Sequence, residues 1–104
     1  MIIGIIGGGA SGMAAALEAS KNPDAQIVLF ERQARLGKKL LATGNGRCNL
    51  TNLNALSGGY HGQNVEFANY ALNQMPPEAT LRWFSDLGLL TVAESTGRVY
   101  PYSD

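Results

Sequence analysis

The residues whose types and spacing suggest chemistry begin at position 7. Gly7-Gly8-Gly9-Ala10-Ser11-Gly12 fits the spacing G-x-G-x-x-G, and Glu31 lies 19 residues past Gly12. Together these suit a bound dinucleotide. Gly7 permits a tight turn out of a strand, Gly9 lets the backbone approach a pyrophosphate, and Gly12 allows a helix to pack closely on the strand. Ala10 and Ser11 open that helix, whose free N–H groups and partial charge of about +0.5 face the phosphates. An acid roughly 20 residues further on accepts hydrogen bonds from ribose hydroxyls. Glu31 would repel a 2′-phosphate, which disfavours NADP here, although Arg32 beside it is a cation. NAD and FAD share the adenosine and pyrophosphate, so this pattern does not separate them. A glycine-rich turn in an unrelated α/β protein is the bland alternative.

The pattern has meaning only on the right elements. Ile2, Ile3, Ile5 and Ile6 form a β-branched run without polar alternation, as expected of a parallel strand buried on both faces. Ala10 to Ser20 reads as a helix of small residues, and Asn22-Pro23-Asp24 as a turn. Gln26 to Phe30 is a second apolar strand ending at Glu31. Residues 2–31 therefore form a parallel βαβ unit. Further on, Asn64 is placed to cap a helix running to about Gln74, with Val65, Ala68, Leu72 and Met75 on one side. Pro76-Pro77-Glu78 opens another, with Leu81, Phe84 and Leu87 inward and Gly88 as its stop. Leu89 to Glu94 and Arg98 to Tyr102 read as a hairpin around Ser95-Thr96-Gly97, with Pro101 making the second strand an edge.

Between these regular parts lies Arg32 to Gly62, rich in Gly and Asn, with a short helix expected around Gly37 to Ala42. It carries five of the chain's eight cations, Arg32, Arg35, Lys38, Lys39 and Arg47, and no acid occurs between Glu31 and Glu66. Long irregular loops in compact domains are usually functional. Gly44 and Gly46 would let the chain pass close to a bound ligand. Lys38, Lys39 and Arg47 could offset phosphate charge. Thr43, Asn45, Asn49, Thr51 and Asn52 offer hydrogen bonds. The alternative is that Asn45-Gly46 is a type I′ turn and the cations form a solvated face.

The run Gly37, Lys39, Thr43-Gly44, Gly46, Arg47, Cys48-Asn49, Thr51-Asn52, with Gly7, Gly9, Gly12 and Glu31-Arg32, closely resembles a bacterial flavoprotein family. These are NAD(P)/FAD-dependent oxidoreductases of the BaiN/RdsA-like or aminoacetone-oxidase-like type. Gly97 to Pro101, G-R-V-Y-P, also fits. The resemblance implies an α/β fold, the N-terminal part of an FAD-binding Rossmann-type domain with two further helices and a hairpin. It implies FAD as cofactor, with NAD(P)H as a candidate electron donor. Gly7 to Gly12 and Glu31 would hold the ADP half, and the Lys38 to Asn52 loop would run along the flavin. Family members are roughly four times longer, so residues 1–104 are expected to be a partial domain without the substrate domain, open to self-association and doubtful as a catalyst alone. The rivals are an NAD-dependent dehydrogenase segment and a non-catalytic nucleotide-binding module.

Composition bounds these readings. The chain has 104 residues, eight Lys and Arg against eight Asp and Glu, and is 45% hydrophobic. That argues against a disordered chain and against a nucleic-acid binder working through bulk charge. The small-molecule substrate expected as partner of the whole protein is what the resemblance implies. One Cys permits no internal disulfide, and no Cys/His spacing suits a metal. Cys48 has no C-x-x-C partner and reads as a packing residue; His61 reads as a polar loop residue. Phe67, Trp83 and Phe84 read as core. No cation precedes the apolar start and five of its first 17 residues are Gly, so neither an export signal nor a membrane anchor is expected, and the address is cytoplasmic.

Overall fold

The computed structural model describes residues 1–103, with Gly44 described by its backbone course alone. The chain divides into two compact units, Met1–Gly46 and Arg47 onward.

The first unit is the expected βαβ. Strands β1 (Ile2–Ile6) and β2 (Gln26–Phe30) pair in parallel, from Ile2 opposite Gln26 to Ile6 opposite Phe30. Helix α1 (Ala10–Ala19) connects them and packs on both. The strands are not buried on both faces. Ile2 and Ile6 are 72% and 91% exposed and Phe30 is 58% exposed, because the helix packed on this two-stranded sheet, α1, leaves those side chains uncovered. The short helix expected at Gly37 to Ala42 lies further along, as 3₁₀ turns over Leu40–Gly46.

The second unit is a three-stranded antiparallel sheet with helices. Strand β3 (Thr51–Asn52) pairs with β5 (Arg98–Pro101), which also pairs with β4 (Thr91–Ala93). The hairpin is as expected, but β5 is the central strand and not an edge. The reason Pro101 is tolerated is alternation. Glu94 N–H donates to the Arg98 carbonyl and Tyr102 N–H to the Leu90 carbonyl, so residues 98 and 102 bond toward β4. Pro101 therefore turns its nitrogen to the β3 side, where β3 pairs only with Arg98 and Val99 and needs no N–H from it. Val99 and Tyr100 are buried in this sheet, and Pro77 is buried at the start of the helix that precedes β4.

Helix α3 (Pro77–Asp86) starts and stops as read, with Gly88 at φ +89° just past its end. Its Leu81 and Phe84 are half-buried, while Leu87 is exposed. The helix expected from Asn64 is instead a 3₁₀ turn over Val65–Ala68 followed by α2 (Asn69–Gln74). The Asn64 side chain caps nothing, and Val65 and Met75 are exposed. Without a cap, the first turn tightens to i→i+3 bonding, seen where Phe67 N–H donates to the Asn64 carbonyl. Trp83 and Phe84 pack edge to face at 5.1 Å between ring centres, whereas Phe67 is 85% exposed and is not core.

Candidate functional site

The glycine turn is built as its spacing suggested. Gly7 N–H donates to the Phe30 carbonyl at 2.7 Å, and Gly7 has φ +100°, a conformation that favours glycine. A Cβ on Gly12 would overlap the Gly7 carbonyl, so only glycine lets α1 sit this close to the turn. A Cβ on Gly9 would meet nothing within 4 Å. Gly9 precedes α1, and no side chain caps that helix, so the N–H groups of its first turn, which includes Ala10 and Ser11, are left for a ligand or water.

Gly8, unassigned by the motif, is the most tightly held. It is buried; its N–H donates to Glu31 Oε1 at 2.9 Å, and its carbonyl accepts from Gly37 N–H at 2.8 Å. A Cβ there would collide with Leu36 Cδ2 and crowd Glu31 Cβ at 3.2 Å. The other Glu31 oxygen accepts from Gln33 N–H at 2.6 Å. These bonds, Gln33 first and Gly8 second, hold the Glu31 carboxyl below the usual carboxylate range; Arg32 adds to the effect and slight burial opposes it.

Around this turn lies an open cavity of about 500 Å³, lined by Gly8, Gly9, Glu31, Arg32, Gln33, Lys38, Lys39 and Ala42. Three cations and one carboxylate give it a net charge of +2, which matches a diphosphate. Its residues fit a dinucleotide: open space beside Gly9, an uncapped helix start, a carboxylate at the β2 end, and cations on the rim.

Other expected site residues are engaged locally. Thr43 Oγ1 donates to the Leu40 carbonyl at 2.9 Å. Asn45 and Gly46 both have positive φ, 57° and 85°, the signature of the type I′ alternative. In the second unit the Arg47 guanidinium donates to Glu94 at 2.7 Å and lies 3.9 Å from the centre of the Tyr100 ring. Arg47, expected to offset cofactor charge, thus also contacts the hairpin, through a partner 47 residues away that no local pattern marks. Asn52 Oδ1 accepts from Asn54 N–H at 2.8 Å, an Asx turn packed against Gly97. Cys48 is half-buried with φ +59°. Asn49, Leu50, Thr51 and Asn52 line a second open pocket of about 590 Å³, with Tyr60 and Leu72 among its other walls.

The Rossmann-domain model of the HI0933-like proteins matches residues 1–104. The 3-dehydro-bile acid delta(4,6)-reductase of Clostridium scindens is 50% identical over 103 residues, 98% of this chain and 25% of that protein. The ribosomal RNA dihydrouridine synthases of Escherichia coli and Haemophilus influenzae are 40% and 37% identical over 68 residues, 65% of this chain and 17% of each enzyme. The chain thus spans about a quarter or less of the length of these curated relatives.

Proposed function

The chain belongs to the HI0933-like Rossmann-domain family, and from that premise we propose that it holds FAD for a flavin-dependent oxidoreductase. The observation that carries this reading is the cavity at the glycine turn, where Gly9, Glu31, Lys38 and Lys39 meet. Gly7, Gly9, Ala10, Ser11 and Gly12 would receive the pyrophosphate at the start of α1. Glu31 has lone pairs left for ribose hydroxyls, since two backbone N–H groups occupy only part of its acceptor capacity. Arg32, Lys38 and Lys39 would offset phosphate charge. Asn49 and Thr51, on their own pocket, are the residues proposed to bond toward the flavin end. Bound there, the flavin supplies two-electron transfer; this chain's residues bind it, orient it and balance its charge.

The relatives' names share a reaction type. A delta(4,6)-reductase and a dihydrouridine synthase both add hydrogen across a carbon–carbon double bond. We propose the same reaction type for the whole protein, with NAD(P)H as electron donor and a small molecule as substrate. Among the described residues no helix is long and apolar enough to cross a membrane, and a cytoplasmic site of action is proposed with it. The test is titration of the ¹⁵N-labelled chain with ADP and with FAD. Amide shifts at Gly7, Gly9, Ala10 and Ser11 with both ligands support the reading; no shift there at millimolar ADP overturns it. NAD shares the ADP half and should shift the same amides, so the dehydrogenase rival is favoured only where NAD binds more tightly than FAD.

A further inference from the structure

We propose that Glu31 is a positioning residue for the nucleotide turn, in addition to any bond it makes to ribose. The inference rests on the dinucleotide reading only for its purpose; the device itself exists without ligand. Both carboxylate oxygens already accept backbone N–H groups, from Gly8 at 2.9 Å and from Gln33 at 2.6 Å. Charge-assisted bonds of this kind are the stronger class. Gly8, so gripped, is shared by three segments. Its N–H faces the end of β2, and its carbonyl accepts Gly37 N–H at 2.8 Å. Gly37 in turn accepts Leu41 N–H at 3.1 Å, which starts the turns that follow the two lysines. Gly37 is buried at φ +69°, with Met13 Cε 3.3 Å from where its Cβ would stand.

The consequence is a relay through one buried residue. Glu31 holds the Gly8 N–H, the two peptide planes that meet at the crowded Gly8 Cα set its carbonyl, and that carbonyl holds Gly37 immediately before Lys38 and Lys39. The lysines are thus set on the cavity rim before a nucleotide arrives, which lowers the ordering cost of binding. A residue acting on ribose alone would leave Gly8 and Gly37 indifferent to its removal.

Amide hydrogen exchange of the ligand-free chain separates these roles. With Glu31→Ala, exchange at both the Gly8 and the Gly37 amides is expected to quicken by about tenfold or more. The β1–β2 ladder amides should stay unchanged. Exchange within about twofold of the parent chain at either glycine overturns the proposal. Should the variant fail to fold, the unsubstituted chain decides. Its Gly8 and Gln33 amide protons should shift together as Glu31 takes up its proton; Arg32, Lys38 and Lys39 are the other charged groups on this cavity. A Gly8 amide that stays flat through the acid range overturns the proposal. No nucleotide is present in either measurement, so a failure here leaves the ADP titration to stand or fall by itself.

Discussion

Replacing Gly12 by Ala should unfold the nucleotide turn, while the same change at Gly9 should leave it folded and disable it. Helix propensity alone argues the other way at Gly12, since Ala is favoured over Gly by about 1 kcal/mol inside a helix. The structure outweighs that preference. The added Cβ at position 12 would overlap the Gly7 carbonyl and lie 3.7 Å from Ile5 Cγ2. Overpacking against movable side chains typically costs about 1–3 kcal/mol. Here the obstacle is backbone, and Gly7 is itself tied to Phe30 at 2.7 Å. Relief requires α1 to lift from the sheet, so a net loss of about 3 kcal/mol or more is expected, a large share of the roughly 5–15 kcal/mol that holds a typical domain together. At Gly9 a Cβ meets nothing within 4 Å and φ is −80°. Ala there is expected to cost less than about 1 kcal/mol, the difference being its poorer service as an N-cap. Urea denaturation followed by far-ultraviolet circular dichroism measures both, and ADP titration measures binding. A Gly12→Ala chain within about 0.5 kcal/mol of the parent would refute the packing argument. A Gly9→Ala chain that binds ADP undiminished would refute the idea that its open side receives the pyrophosphate.

Three further outcomes are expected. Glu31 has a folded-state pKa below its unfolded value, so its contribution to stability is full above the unfolded pKa and lost as pH falls through the lowered one; denaturation midpoints across the acid range should show this fall, and Glu31→Ala should flatten it. The Arg47–Glu94 pair, with side chains 41% and 36% exposed, should show a coupling of only about 0.2–1 kcal/mol in a double-mutant cycle; Arg47→Lys should lose the stacking on Tyr100 as well. Gly97→Ala should cost about 2 kcal/mol or more by thermal denaturation, because φ is +88° and its Cβ would strike the Asn52 and Asn54 side chains.

Much of this was legible because local rules and the fold agreed. The glycine spacing, the apolar runs of β1 and β2, and Gly88 and Gly97 each carry a backbone requirement that a linear pattern records. What was missed depends on distant partners. Nothing in G-x-G-x-x-G marks Gly8, whose constraint comes from Leu36 and Glu31. Arg47 reads as a basic loop residue until Glu94 and Tyr100 fold beneath it. Pro101 suggested an edge because sequence cannot say which neighbour a strand nitrogen faces. Val65 and Met75 have helical spacing, yet an uncapped first turn left both exposed.

The crowding at Gly8 also ties how this turn can change over generations to a second position. The nearest obstacle to a side chain at position 8 is the far end of Leu36, which is flexible, and only after it come Glu31 Cβ and Cγ at 3.2 and 3.3 Å. An Ala at position 8 needs Leu36 to swing aside and still meets the Glu31 stem. Shortening Leu36 to Val or Ala removes the nearest contact and leaves the Glu31 crowding in place. Positions 8 and 36 should therefore be coupled, the cost of Ala at 8 being smaller where 36 is already short.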